Sequence, residues 1–337
     1  MVSSYAYSMA IMNTNKNHFI AQFEQHIDDV LTWDTSRSLS TEPTLFSAAR
    51  HLCLAKGGKR ARPKLVYFFA KGLGIDTPQI LDVAVTAEFI HNASLLHDDV
   101  IDNGEIRRGQ PTVNVVWDSL TAVLAGDILL SESIRILKDC PRIVATEALE
   151  LVSCMTRATM MEAHIRNHTD VTIPQWEYIC DGKTSSMFRW CGRAVGHLAN
   201  NSDAIDRFDR FGYHFGLAFQ LADDVLDFQH TSGKTPFADI RNKNPNYPMV
   251  LACQRSNGFR KDLNNLWLQD ILEESQIEQI GHNLLEIGII DECIERIQSE
   301  VEQSINALGD YQHRPGCQEI ALWAMTMCQR FQTMESA

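Results

Sequence analysis

The sequence predicts an all-α fold, and three observations predict it. Apolar residues recur at the three-to-four spacing of a buried helix face through most of the 337 residues. No run alternates apolar and polar residues as a half-buried strand would. No Pro/Gly/Ser linker divides the chain and no fixed-period repeat is visible, so a polar, Ser/Asn-rich lead-in over 1–16, expected to be disordered, is followed by a single many-helix domain over 17–337.

The elements follow in order. Residues 18–33 place Phe19, Ile20, Phe23, Ile27 and Val30 on one side of a helix. A second helix runs over 44–55 until Lys56-Gly57-Gly58-Lys59 interrupts it. Pro63 is tolerated in a first turn, so a third is expected over 64–73. A strongly apolar helix spans 78–102 and Gly104 stops it. Further helices are expected over 113–137, 141–167, 174–199 and 203–230. Residues 231–248 contain Gly and Pro breaks and several Lys, Arg and Asn, and read as a loop; four or so shorter helices fill 249–335.

The bulk chemistry excludes several functions. A formal charge of −13 with pI ≈ 5.3 argues against a nucleic-acid binder. Compact basic patches at Lys56 to Lys64 and at Arg107-Arg108 suit a small anion better than a polyanion. No apolar run approaches the roughly 20 residues of a membrane span. The nine cysteines form no C-x-x-C pair and no secretory signal precedes them, which places free thiols in a reducing cytoplasm. There is no G-x-x-x-x-G-K-[ST] or G-x-G-x-x-G loop for a nucleotide, no zinc-ligand spacing, and no G-x-S-x-G elbow.

What remains is acidic and paired. Asp98-Asp99-Val100-Ile101-Asp102 and Asp223-Asp224-Val225-Leu226-Asp227 both read D-D-x-x-D, each at the end of a long apolar stretch. On a helix the first and fifth residues are one turn apart, so their carboxylates share a face. Clustered carboxylates repel and lose hydration, and a cation relieves both costs. All-oxygen donors with room for water point to Mg²⁺. Gly57-Gly58-Lys59-Arg60-Ala61-Arg62-Pro63 combines flexible backbone with three cations, the chemistry of phosphate binding, although alone it is equally a basic helix break. Arg107-Arg108-Gly109 follows the first acidic block; it is either a solvated turn pairing with Asp102 and Glu105 or a grip on the diphosphate that the metal bridges. Gln220 is a polar residue on a mostly apolar face one turn before Asp223, and must find a partner or a ligand. Carboxylates for Mg²⁺, cations for phosphate and apolar walls together suit a substrate with a diphosphate head and a hydrocarbon tail.

The order of these motifs resembles the trans-isoprenyl (polyprenyl) diphosphate synthases. The resemblance rests on Gly57-Gly58-Lys59-Arg60-x-Arg62-Pro63, on Glu88-x-x-His91-x-Ala93-Ser94-Leu95-x-His97-Asp98-Asp99-x-x-Asp102 and on Arg107-Arg108-Gly109-x-Pro111-Thr112. It continues through Ala125-Gly126-Asp127, Lys183-Thr184, Phe219-Gln220-x-x-Asp223-Asp224-x-x-Asp227 and Gly233-Lys234, and covers about 45–250. It implies an isoprenoid synthase-type bundle of helices around a central cavity, usually a homodimer, with the two acidic motifs facing across the cavity. By that resemblance Asp98, Asp102 and Asp223 would ligate Mg²⁺, and Asp99, Asp224 and Asp227 would act partly through metal-bound water. Arg107, Lys183 and Lys234 would hold the allylic diphosphate; Lys59, Arg60, His91 and Arg108 would hold isopentenyl diphosphate; Lys243 is a further substrate-binding candidate. Lys183, Thr184 and Gln220 would carry the chemistry, the last two stabilising an allylic cation. Membrane contact, in the absence of a span, would be confined to release of the product.

Departures are local. The connection from Asp227 to Gly233 is short for the family, Phe237 stands where glycine is common, and Arg241-Asn242-Lys243-Asn244-Pro245 lacks the expected Gly-Lys, leaving Lys243 offset by one. Met161-Glu162-Ala163-His164-Ile165 keeps only part of a Gly-Glu-x-x-Gln. These changes bear on the segment over the diphosphate and leave the aspartates intact. Ala93 and Ser94 lie beside and one turn below Asp98, where an aromatic would block a growing tail, while Ile90, Phe89 and Ala87 lie deeper. Geranylgeranyl or a longer product is therefore expected over farnesyl. A class I terpene cyclase would carry an N-D-x-x-S-x-x-x-E-type second motif. A non-catalytic partner subunit would tend to lose aspartates, and this chain keeps all six.

Overall fold

The computed structural model describes residues 2–32, 42–228 and 236–332, with side chains over 15–32, 44–228 and 236–326. The chain divides into two compact units that interleave in sequence: Met1–Leu149 with Cys191–Ile205 and Arg314–Cys317, and Glu150–Trp190 with Asp206–His313 and Gln318–Ala337. Four of the five crossings between the units fall inside helices and the fifth, between His313 and Arg314, falls in a short connection, so no long linker shows in the sequence.

The first unit is built around one helix. In order come α1 (Val2–Leu31), α2 (Glu42–Cys53), α3 (Ala61–Leu73), α4 (Gln79–Ile101), a ribbon of β1 (Ile106–Arg107) and β2 (Gln110–Pro111), α5 (Val113–Val116) and α6 (Ser119–Ile136). Helix α4 buries Val83, Ala84, Val85, Ala87, Phe89, Ile90, Ala93 and Leu96, and is wrapped by α1, α2, α3, α5 and α6. Each fully buried Val, Ile or Phe contributes about 1.5–3 kcal/mol, so α4 is held rigidly beneath its acidic end. Of the expected face of α1, Phe19, Phe23 and Ile27 are buried and Ile20 and Val30 are partly buried, while Leu31, outside that expectation, is fully buried. The expected helix over 113–137 is broken at Trp117, and the Asp118 side chain then caps α6 by accepting from the Thr121 amide at 2.6 Å. The ribbon is too short to show alternation in sequence. Ile106 pairs with Pro111 and Arg107 with Gln110, closed by Arg108 (φ 54°) and Gly109 (φ 76°).

The chain continues with α7 (Arg142–Ile165), which passes into the second unit at Glu150, then α8 (Ile173–Cys180), one π-helical turn over Asp181–Ser185, α9 (Ser186–Leu198), which returns to the first unit at Cys191, and α10 (Ser202–Leu226), which re-enters the second at Asp206. It continues with α11 (Ala238–Arg241), α12 (Tyr247–Arg255), α13 (Asn257–Trp267), α14 (Glu274–Glu286), α15 (Ile289–Ala307) and α16 (Cys317–Gln332). The stretch expected to be one helix over 174–199 is thus two, joined by the π turn. Part of the expected loop over 231–248 is helical as α11, and five helices rather than about four fill the C-terminal stretch. Phe188, Phe211, Phe215 and Phe219 pack ring against ring, with Trp323 on Phe215, and anchor α10.

Candidate active site

The first acidic motif ends α4, and its aspartates differ in exposure. Asp98 is partly buried, Asp102 is exposed, and Asp99 is 3% exposed. Asp99 is already engaged: Arg107 Nε donates to both of its oxygens at 2.8 and 2.9 Å, and Nη2 lies 2.7 Å from Oδ1. Arg107, expected on the allylic diphosphate, is thus tied to the motif itself. The tail-lining candidates sit below it. Ala93 and Ile90 are buried, and partly buried Ser94 donates its hydroxyl to the His91 carbonyl at 2.8 Å.

The cations expected on isopentenyl diphosphate gather in the same unit. Arg60 adopts a left-handed conformation (φ 49°) at the start of α3, and its buried guanidinium bonds Glu88 of α4 at 2.8 Å. Arg108 donates to the Leu52 carbonyl at 3.0 Å and lies 4.0 Å from Glu88. Lys59 is exposed. Burial holds the His91 imidazole well below its ordinary range, and the charges of Arg62, Arg108, Arg107 and Arg60 add to the effect. A neutral histidine among four guanidinium groups is an anion-seeking environment. Glu88 and Arg62 complete it, and the roles of both escaped the sequence reading. The signal for Glu88 was a carboxylate on the apolar stripe of α4 in register with a basic turn.

In the second unit, the π turn carries Lys183 and Thr184. Lys183 pairs with Glu162 through Nζ and Oε2. Thr184 Oγ1 donates to Gln220 Oε1 at 2.9 Å, and Gln220 Nε2 donates to Asp224 Oδ1 at 2.9 Å. This approach of α10 to the π turn requires a glycine at 216, where a Cβ would stand 2.4 Å from Ser185 Cα. The second acidic motif is divided like the first. Asp223 is exposed, whereas Asp224 is buried and its Oδ2 accepts from Trp176 Nε1 at 2.9 Å and from the Tyr247 amide at 3.0 Å. Burial, with the charge of Asp239 behind it, pushes the Asp224 carboxyl up to about 8 against those three hydrogen bonds. Asp227 accepts from the Ala238 and Asp239 amides at 2.9 and 3.0 Å and so starts α11. Trp176 and Tyr247 were not singled out by motif, and Glu162 was noted only as the remnant of a Gly-Glu-x-x-Gln.

Two candidates around the atypical segment have different fates. Lys234 lies outside the described residues. Lys243 (φ 53°) donates its ammonium to the Trp267 and Gln269 carbonyls at 2.7 and 2.8 Å, so two of its three donors face the end of α13. Phe237 takes the left-handed conformation (φ 61°) that glycine would adopt freely. That geometry costs about 1–3 kcal/mol. Its fully buried ring, against Phe228 and His282, offsets the cost.

The donor set fits a hard divalent cation. Asp98 is partly buried and Asp102 and Asp223 are exposed, while Asp99, Asp224 and Asp227 are engaged by Arg107, Gln220 and the start of α11. Among the described residues no three His, Cys, Asp or Glu converge as a cage. Mg²⁺ is commonly held by one or two carboxylates, with water and phosphate oxygens completing its shell.

Comparison with known proteins agrees with this chemistry. Residues 42–284 match the polyprenyl synthetase family. An all-trans-nonaprenyl-diphosphate synthase (geranyl-diphosphate specific) of Rhodobacter capsulatus is 31% identical over 269 residues, 78% of this chain and 82% of that protein. A geranylgeranyl diphosphate synthase of Saccharolobus solfataricus is 32% identical over 214 residues, 59% of this chain and 63% of that protein. The crystal structure of a Caulobacter crescentus polyprenyl synthase complexed with calcium and isoprenyl diphosphate superposes with a TM-score of 0.82 at 24% identity, covering 93% of this chain and 94% of that one. The chain belongs to the polyprenyl synthetase family.

Proposed function

We propose that the protein is a trans-prenyltransferase that joins isopentenyl diphosphate to an allylic diphosphate and releases an all-trans polyprenyl diphosphate of geranylgeranyl length or longer. The observation that carries this reading is the pair of D-D-x-x-D motifs at the ends of α4 and α10, in which Asp99, Asp224 and Asp227 fix Arg107, Gln220 and α11. We assign Asp98, Asp102 and Asp223 to a divalent cation.

Asp98 and Asp102 of the first motif and Asp223 of the second would hold the divalent ion, Mg²⁺ by preference. When bound, it supplies charge that stabilises a departing diphosphate. The chain's own residues do the rest. Lys183 exchanges Glu162 for the allylic diphosphate. Lys59, Arg60, Arg108 and neutral His91 orient isopentenyl diphosphate by charge-assisted hydrogen bonds. The allylic C–O bond breaks, a bond forms from C1 of the allyl group to C4 of isopentenyl, and a proton leaves C2 for the released diphosphate. The Thr184 oxygen and the Gln220 carbonyl face the developing cation as weak dipoles that do not trap it. Buried Ala93 and Ile90 exclude water that would quench it, and the small side chains at 93 and 94 leave the tail a path.

Val115, Val116, Leu120, Val123 and Leu124 expose an apolar surface on α5 and α6, which we assign to a homodimer. No helix of the described residues is long and apolar enough to cross a membrane. We place the enzyme in the cytoplasm, touching membrane only to release product.

The test is incubation of purified protein with Mg²⁺, isopentenyl diphosphate and each allylic primer in turn, followed by product chromatography. Elongation of at least one primer to geranylgeranyl length or beyond supports the reading. Absence of elongation with every primer removes it.

A further inference from the structure

Beneath the second acidic motif, a single hydrogen-bond chain joins four side chains of the second unit. Thr184 Oγ1 donates to Gln220 Oε1, Gln220 Nε2 donates to Asp224 Oδ1, and Trp176 Nε1 donates to Asp224 Oδ2, each at 2.9 Å. We propose that Trp176 is a positioning residue for prenyl transfer: by holding Asp224 Oδ2 it turns Oδ1 to the amide nitrogen of Gln220 and so directs the Gln220 carbonyl at Thr184. The proposal rests on the prenyltransferase reading above.

The polarity of the chain follows from donor and acceptor chemistry. A primary amide has one accepting end and one donating end, and which end faces where is decided by its neighbours. Asp224 Oδ2 is taken by two N–H donors, Trp176 Nε1 and the Tyr247 amide, the latter at 3.0 Å. Oδ1 is left for Gln220, and it meets the donating end. The accepting end then faces Thr184, whose hydroxyl proton is committed to it. The Thr184 lone pairs are thereby left for a cation, and the threonine proton is kept away from it. Without the indole N–H, the carboxylate has one fewer reason to hold its plane, and the amide can turn over.

Trp176 is itself held stiffly enough for this role. Its ring is 5% exposed and lies 4.8 Å from that of Tyr247. The Arg296 guanidinium sits 5.8 Å from the Trp176 ring and 4.8 Å from the Tyr247 ring. Arg296 is in turn fixed by Glu177 at 2.5 Å and by the Tyr247 hydroxyl oxygen at 2.9 Å. Two N–H groups from different helices, α8 and α12, therefore converge on one oxygen with little freedom to follow it if it moves.

Two substitutions separate orientation from space filling. Trp176→Phe keeps an aromatic ring and loses the N–H; Trp176→His places Nε2–H where the indole Nε1–H stood and loses bulk. Wild-type elongation is measured in the same assay, so failure of the prenyltransferase reading shows as inactivity of the parent. With an active parent, W176F is expected to lower kcat by about twofold to tenfold, the worth of one hydrogen bond to a carboxyl group, with both KM values unchanged. W176H should exceed W176F in kcat although it melts lower. Gln220→Ala should cost less in W176F than in the parent, because both act through one amide. With isotope-labelled tryptophan, the indole resonance missing from W176F should shift when Gln220→Ala removes the other bond to the shared carboxylate. W176F at parental kcat, W176H below W176F, or an unmoved resonance overturns the proposal. Should W176F not fold, W176H decides alone: a kcat near the parent supports the role, and a loss as large as that of Gln220→Ala removes it.

Discussion

Replacing Glu88 by glutamine tests the cationic cluster at the buried carboxylate that faces both Arg60 and Arg108. The Glu88 side chain is 3% exposed, Arg60 beside it is 6% exposed at 2.8 Å, and Arg108 lies 4.0 Å away. At an effective dielectric of about 20, unit charges at those separations attract by roughly 6 and 4 kcal/mol. Most of that gross attraction repays the dehydration of the three groups. Removing one partner of a buried pair nets about 3–5 kcal/mol of destabilisation, and glutamine, which keeps the shape and an acceptor oxygen, belongs near ~3 kcal/mol. Urea unfolding should therefore show a lower midpoint at unchanged slope. A second effect has the opposite sign. Arg60 and Arg108 without Glu88 attract an anion more strongly, so inorganic diphosphate should raise the melting temperature of E88Q by more than it raises that of the parent. The KM for isopentenyl diphosphate should change while that for the allylic substrate does not. Stability within about 0.5 kcal/mol of the parent, together with equal stabilisation by diphosphate, would refute the reasoning.

Three further outcomes are expected. His91 binds its proton less readily in the folded chain than in the unfolded one, so stability is full above about pH 6.5 and declines as pH falls below it; His91→Gln should lack that component of the acid profile, and superimposable profiles would contradict it. Ser94→Phe should shorten the product seen by chromatography, and an unchanged product would show that the tail runs elsewhere. Gly216→Ala adds a Cβ 2.4 Å from Ser185 Cα, so α10 or the π turn must move. The expected loss is about 1–3 kcal/mol in denaturant unfolding, with kcat falling more than KM as Gln220 and Thr184 separate; parental values for both would show that the approach is not needed.

The all-α class and the long helices were legible because burial on one side imposes a period that a single sequence displays, as in Phe19, Phe23 and Ile27. The acidic and basic motifs were legible because their chemistry is local: Asp98 to Asp102 and Arg107-Arg108 each lie within a turn or a hairpin. What escaped is set by partners distant in sequence. Nothing around Asp224 reveals that Trp176 and the Tyr247 amide will take its Oδ2. Nothing around Lys243 reveals that two carbonyls at the end of α13 will take its ammonium. Left-handed Arg60 and Phe237 were equally invisible, since tertiary contacts (Glu88 for one, Phe228 and His282 for the other) override the local preference for glycine. The two-unit organisation left no long linker because four of the five crossings fall within helices, among them those between Leu149 and Glu150 and between Trp190 and Cys191.

The most direct measurement concerns the division of labour among the aspartates. Asp98→Ala and Asp223→Ala, compared with the parent for Mg²⁺-dependent elongation and for melting temperature, should each lose orders of magnitude in rate while melting as the parent does. Asp227→Ala, which removes the acceptor for the Ala238 and Asp239 amides, should melt lower. Parental elongation by both Asp98→Ala and Asp223→Ala would contradict the assignment of these two aspartates to the cation.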